Sequence, residues 1–154
     1  MTPTHPLWGA LCALILLAAS AAAEPVTEDL VRAEDTAVTE ANKAEKDGFS
    51  IRQELWTGEL TPTKGKAIKL QLFKGLEYRF WLAAGTKDAD TKLSIKIVDQ
   101  SGKIVGPDKQ SDFEGKKGKG TEFVFTPKKT GLCLILIKLE GKKPRQCVMV
   151  TGYK

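Results

Sequence analysis

Apolar and polar residues alternate with a period of two along most of the chain after Gly48, and this pattern constrains the fold more than any other feature. Apolar side chains recur at every second position in residues 68–72, 76–82, 93–97 and 123–125. Successive side chains of a β-strand point to opposite faces of a sheet, so these segments are predicted to be strands with one buried face.

Glycine turns separate the predicted strands. Lys74 and Gly75 lie between the first two, and Gly102 follows the third. Glycine adopts the positive φ that a tight hairpin needs. Short strands joined this way, with no helix between them, predict an all-β domain, an antiparallel β-sandwich or jelly roll.

One predicted strand departs from the alternation. The run "LCLILI", residues 132–137, is apolar on both faces. It is too short to cross a bilayer as a helix. We therefore expect a central strand whose outer face is covered as well, and an N-terminal helix is the candidate cover.

That helix is predicted from an acidic segment, residues 24–49, which carries eight acids and three bases. Thr27 is a suitable N-cap, and Gly48 is suited to end the helix. Two interpretations stay open, a helix packed flat on a sheet and a frayed, solvated arm. The apolar stripe consists of Val26, Leu30, Ala33, Ala37, Ala41 and Ala44.

The first 23 residues have the features of a secretory signal peptide. An uncharged apolar stretch from Leu11 ends at three alanines before Glu24. An uncleaved N-terminal anchor is the alternative. The expected organisation is a signal peptide (1–23), an acidic helical arm (24–48) and a β-sandwich domain (49–154). The chain would be secreted or periplasmic, with no transmembrane span after cleavage.

Histidine is missing from the predicted mature chain, because the only histidine is His5. Serine and cysteine nucleophiles need an imidazole to move the proton, and zinc sites use imidazole or several thiolates. We therefore expect no enzymatic activity. Hydrolysis by paired carboxylates, which needs no imidazole, is the catalytic alternative.

The order of the segments resembles the bacterial pre-peptidase C-terminal domain, a secreted β-sandwich often appended to extracellular proteases. Two departures occur: Cys133 stands where the family places an aromatic residue, and Thr91 and Lys92 separate Asp90 from its strand. The resemblance implies a binding or accessory module. It rests on "TGEL" (57–60), "LQLFKGLEYRFWL" (70–82), "DADTKLSIKIVDQSGKIV" (88–105), "FVFTPKKTGLCLILI" (123–137) and "QCVMV" (146–150).

Asp88 and Asp90 are the candidate metal ligands. Calcium needs six to eight oxygen ligands, and these residues supply only two carboxylates. Asp99 follows at the other end of a strand, roughly 20 Å away or more, so it is expected to be a turn residue. Related collagen-binding modules are similar in using an acidic N-terminal linker for calcium. A calcium-stabilised module, with further ligands from the acidic arm, is therefore the alternative function.

Cys133 and Cys147 would be the two cysteines of an exported chain. An even cysteine count in an oxidising compartment predicts a disulfide. Two buried free thiols are the alternative, because both residues lie in apolar runs.

Two loops are strongly basic, and they are the candidate site for an anionic partner. An anionic polysaccharide or another cell-surface polymer, lipid headgroups or an acidic protein suits such loops, whereas nucleic acid does not, since aromatic residues and several arginines are missing. A merely solvated surface is the alternative. Trp81 is either an exposed contact or buried beneath the helix. The basic residues are Lys116, Lys117, Lys119, Lys142, Lys143 and Arg145.

Together these features predict a secreted or periplasmic, non-catalytic binding or accessory module. Its expected partner is a protein or an anionic surface polymer.

Overall fold

A computed structural model describes residues 27–154. The predicted signal peptide and Val26 lie outside the described residues. The described part forms one helix followed by strands. The elements are α1 (Glu28–Glu45), β1 (Ser50–Ile51), β2 (Trp56–Leu60), β3 (Lys66–Leu72), β4 (Tyr78–Ala84), β5 (Lys92–Val98), β6 (Ile104–Gly106), β7 (Lys109–Glu114), β8 (Lys119–Phe125), β9 (Gly131–Glu140) and β10 (Arg145–Tyr153).

The strands form two antiparallel sheets that pack face to face. The six-stranded sheet has the order β1-β10-β4-β8-β7, and β2 also pairs with β10. The four-stranded sheet has the order β3-β9-β5-β6. Every strand pair is antiparallel, and one core cluster draws side chains from both sheets. The predicted β-sandwich with one N-terminal helix is confirmed.

The alternating pattern explains which side chains form the core. Leu72, Phe80, Ile97 and Ile135 are completely buried between the sheets, whereas their sequence neighbours point outward. Strand β4 is an exception, because nearly all its residues are buried. Its second face lies beneath the helix.

The helix packs through its alanines on the outer face of the six-stranded sheet. Ala37 and Ala41 are fully buried there, in a cluster with Trp81 and Val150. The Thr27 hydroxyl accepts a hydrogen bond from the Leu30 N–H at 3.2 Å, which confirms the predicted N-cap. The packed interpretation of the arm is thus confirmed. Within residues 27–154, no helix has the length and apolar character needed to span a membrane.

The prediction that the N-terminal helix covers the outer face of residues 132–137 is wrong. Leu132 and Leu134 are 40% and 39% exposed on the outer face of the four-stranded sheet. The helix covers the six-stranded sheet instead. The chain runs from the end of the helix directly into β1, where Ser50 pairs with Tyr153 of β10. This short pairing ties the end of the helix to the six-stranded sheet.

Candidate functional site

Three loops meet at one end of the sandwich, where β4 ends and β8 and β10 begin. The pairing of Ala84 with both Lys119 and Cys147 brings these strand ends together. Loop 85–91 follows β4, loop 115–118 precedes β8, and turn 141–144 precedes β10. We call these three loops, with Lys119 and Arg145, the lysine-rich end.

Asp88 joins the three loops. Its backbone oxygen accepts a hydrogen bond from the Lys119 ammonium group, and its carboxylate forms an ion pair with Arg145. Beside it, Nζ of Lys142 lies 4.0 Å from Oδ2 of Asp90. The candidate metal ligands and the candidate polyanion-binding residues therefore share one surface, although the sequence treats them as separate sites.

The N-terminus of the helix completes this surface. A hollow of about 430 Å³ between the helix and the loops is lined by Asp29, Arg32, Lys87, Asp88, Lys117 and Arg145, among others. The helix comes this close because residue 85 is glycine: a Cβ there would lie 2.0 Å from the Asp29 carbonyl oxygen. A second hollow, of about 400 Å³, is lined by Asp88, Ala89, Asp90, Lys142, Lys143 and Arg145.

Cations outnumber anions at the lysine-rich end. Within the part of the chain that the structure describes, Lys116, Lys117 and Lys143 are exposed and have no ion-pair partner. Arg145 is different, because its side chain is only 16% exposed and is held by Asp88. The arginine therefore fixes the loops in place, and the three lysines point into solvent without an ion pair to residues 27–154.

Asp88 and Asp90 both face cations, and this bears on the calcium alternative. Residues 27–154 contain no group of three or more histidine, cysteine, aspartate or glutamate side chains placed to hold a metal ion. Asp29 does approach the Asp88 loop, as the alternative expects of the acidic arm, but Arg32 and Arg145 line the same hollow. The calcium site stays a prediction.

Asp99 lies at the opposite end of the sandwich and is confirmed as a turn residue. Its Oδ1 accepts hydrogen bonds from the Ser101 hydroxyl at 2.6 Å, the Ser101 N–H at 2.9 Å and the Lys103 N–H at 3.0 Å. The Ser101 hydroxyl contributes most to lowering the pKa of this carboxyl below 3.8. All these partners stabilise the charged form.

The predicted disulfide is absent from the described structure, where Cys133 and Cys147 are buried free thiols. Cys133 lies near the start of β9 in one sheet, and Cys147 near the start of β10 in the other. Cys133 precedes the end of β9 by seven residues, or roughly 23 Å of strand, whereas Cys147 is only two residues into β10. The two Cα atoms therefore lie well beyond the roughly 7 Å that a disulfide allows.

Trp81 is buried beneath the helix, as one of its two predicted interpretations expects. The ring is completely inaccessible to solvent, and its Nε1 donates a hydrogen bond to Oε2 of Glu122 at 2.8 Å. The side chain is therefore part of the packing between helix and sheet.

The calcium alternative places acids of the arm near Asp88, but sequence reasoning missed that Arg32 of the helix also contributes to the lysine-rich end. Arg32 and Asp29 reach the hollow because the helix crosses the loop that contains Gly85. The close approach has one local signal in the sequence, a glycine directly after a buried strand, in the run "LAAGTK".

Comparison of the chain with protein-family models, curated proteins and solved structures finds no match. The two-sheet architecture with one N-terminal helix, and the surfaces it forms, are therefore the basis for the function proposed next.

Proposed function

We propose that this chain is an exported, non-catalytic binding or accessory module whose lysine-rich end associates with an anionic surface polymer or an acidic protein. The observation that carries this proposal is the convergence of Lys116, Lys117 and Lys143. They come from loops far apart in the sequence, and Arg145 and Asp88 hold those loops together.

Such an arrangement suits a ligand with repeated negative charges. Exposed ammonium groups act as separate point charges, and each contributes little by itself in water. Several of them on one rigid surface attract a polyanion together, and salt screens this attraction because the charges are exposed. We therefore expect binding that weakens steeply as the ionic strength rises.

The proposed lack of catalysis rests on the chemical groups available. Residues 27–154 contain no histidine. A carboxylate mechanism needs one carboxyl group that stays protonated in an apolar setting. Asp88 and Asp90 are instead exposed and ion-paired with basic side chains.

The proposed location and kinship follow from the sequence. The first 23 residues have the pattern of a secretory signal peptide, and the ordered segments resemble the pre-peptidase C-terminal domain. We propose that the chain is an exported module similar to that domain. Its role would then be to hold a surface or a partner near another protein.

A charge-reversal variant tests the proposed binding surface. We expect the wild-type chain to bind an immobilised sulfated polysaccharide. The variant K116E/K117E/K142E/K143E should elute at much lower salt, because four cations of the lysine-rich end have become anions.

The matched control reverses four exposed lysines at the opposite end of the sandwich, in K74E/K103E/K128E/K129E. It has the same net charge, so it should elute close to the wild type if the lysine-rich end is the site. Equal losses in both variants would show that net charge alone causes retention, and the proposal would then be wrong.

A further inference from the structure

The outer face of the four-stranded sheet is apolar at its centre, and no part of residues 27–154 covers it. Leu134 of β9 pairs with Val98 of β5, and Val98 pairs with Ile104 of β6, so the three side chains form one row across the sheet. Leu132 and Leu136 extend this row along β9. Ile104 is 57% exposed. We call this surface the leucine face.

Lysines surround the leucine face. Lys69 of β3 pairs with Leu134, and Lys96 of β5 pairs with Leu136. Lys138 continues the same side of β9, and Lys92 lies at the far end of β5, opposite Glu140, the one acid at the outward-facing positions of these strands. None of these four lysines has an ion-pair partner within residues 27–154. The surface thus favours a partner that is both apolar and acidic.

The helix of the same chain presents such a surface. Val31, Val38, Glu34, Asp35 and Thr39 line a hollow of about 350 Å³ on the helix. Val31 is 53% exposed.

The charge on this side of the helix is available for a partner. The two bases of the helix, Arg32 and Lys43, are paired with acids of neighbouring turns. Glu34, Asp35 and Glu45 have no ion-pair partner in the described structure.

We propose that the leucine face binds helix α1 of a second copy of this chain. The valines of the helix would lie on the leucine row, and its free carboxylates would meet the surrounding lysines. The dimensions of the sheet face and of the helix are compatible. The sheet face is roughly 20 Å across and the helix, with 18 residues, is about 27 Å long.

Two other occupants fit the leucine face less well. A second leucine face would bring lysines against lysines, and such like-charge contacts are costly. A membrane surface is usually met by tryptophan and tyrosine side chains. The outward-facing positions of β3, β5, β6 and β9 contain no aromatic residue.

The proposed contact has a definite geometry. The helix and the leucine face lie on opposite sides of the sandwich, so copies associate head to tail in an open row. A helix face about 27 Å long and roughly 10 Å wide covers about 270 Å², less than the roughly 800 Å² per partner of a standard interface, so the association should be weak. This inference uses a different surface from the lysine-rich end and does not depend on the proposed function.

Sedimentation of the chain from residue 24 onward measures the association directly. We expect the average mass to rise with protein concentration at low salt and to fall toward the monomer at high salt. A constant monomeric mass over the whole concentration range would overturn the proposal.

Two charge-reversal variants then identify the surfaces. The sheet variant K69E/K96E/K138E makes both surfaces acidic, and the helix variant E34K/D35K/E45K makes both basic. Each variant alone should stay monomeric. An equimolar mixture should associate again, because the acidic sheet face of the sheet variant can bind the basic helix of the helix variant. The other two surfaces, the acidic helix of the sheet variant and the basic sheet face of the helix variant, are unchanged from the wild type and also attract each other.

The mixture also excludes misfolding as the cause of the lost association in each variant, since unfolded variants would not associate again when mixed. The control K74E/K128E/K129E, with the same net charge as the sheet variant, should associate like the wild type. Failure of the mixture to associate would overturn the proposal. Monomeric wild-type chain that binds anionic vesicles through Lys69, Lys96 and Lys138 would assign the leucine face to a membrane instead.

Discussion

Asp99 and Asp88 are both aspartates of exposed loops, and the difference between them lies in where their oxygens point. Oδ1 of Asp99 is used within its own turn, where it accepts three hydrogen bonds. The carboxylate of Asp88 reaches across 57 positions of sequence to Arg145. The first arrangement is local, and the pattern Asp-x-x-Gly predicts it; the second exists only because the fold brings two loops together.

The Asp99 turn makes a prediction for acid conditions. Because the pKa of Asp99 is lowered in the folded chain, its contribution to stability is present above pH 3.8 and is lost as the pH falls through the lower folded value. We expect an NMR titration of the carboxyl group to show a midpoint below 3.8. Replacing Ser101 by alanine should move this midpoint upward, and a wild-type midpoint at or above 3.8 would contradict the assignment.

The two thiols make a second prediction at this scale. Burial raises the pKa of Cys147 to about 12, and it also raises the pKa of Cys133. Only the thiolate reacts with alkylating agents. We expect both thiols to resist alkylation in the folded chain at pH 8, and to react after unfolding without any reductant. Mass spectrometry that finds either thiol blocked after unfolding would instead support the disulfide.

Strand β9 offers a test of which faces are covered. Ile135 is completely buried between the sheets, while its neighbour Leu134 points outward. Replacing Ile135 by alanine should cost about 2–5 kcal/mol of unfolding free energy, and the same change at Leu134 should cost roughly 0.5 kcal/mol or less. Denaturant unfolding at low protein concentration measures both. Equal costs would mean that something covers the leucine face within one chain.

The same strand shows which structural features a local sequence pattern can predict and which it cannot. Alternation predicts the strands, the glycine turns and the buried faces, because these depend on neighbours within a few residues. The apolar run 132–137 indicates a strand that is apolar on both faces, but not whether anything covers the outer one. The partner sheet of the helix depends instead on the two-residue strand Ser50–Ile51, whose pairing with β10 is too short to leave a signal.

The lysine-rich end was predictable only in part for the same reason. Clusters of lysine within one loop are visible in the sequence, and so is the Asp88–Asp90 pair. Their meeting at one end follows from antiparallel pairing of β4 with β8 and β10. A pattern within one segment does not reveal which loops become neighbours through such pairing.

At the scale of the whole molecule, the net charge of +5 conceals a separation of charge. The helix is acidic, whereas the lysine-rich end and the surroundings of the leucine face are basic. Under the two proposals made above, an external anion and another copy of the chain would bind to different surfaces. Salt should weaken both contacts, but the charge-reversal variants separate them because they change different lysines.

Calcium provides the last test, because it would need the same carboxylates that now hold the loops of the lysine-rich end. Arg145 and Lys142 already face Asp88 and Asp90, and a calcium ion prefers six to eight oxygen ligands. We therefore expect millimolar calcium, or a chelator, to leave the melting temperature of the chain from residue 24 onward unchanged. Millimolar calcium is about 100 times the dissociation constant of a site of about 10 µM, and such a site would stabilise the fold by about 2.7 kcal/mol and shift melting by several degrees. If calcium does raise the melting temperature, and D88N and D90N each abolish the effect, the calcium-stabilised module becomes the better description. The ion pair between Arg145 and Asp88 would then have to open when the ion binds.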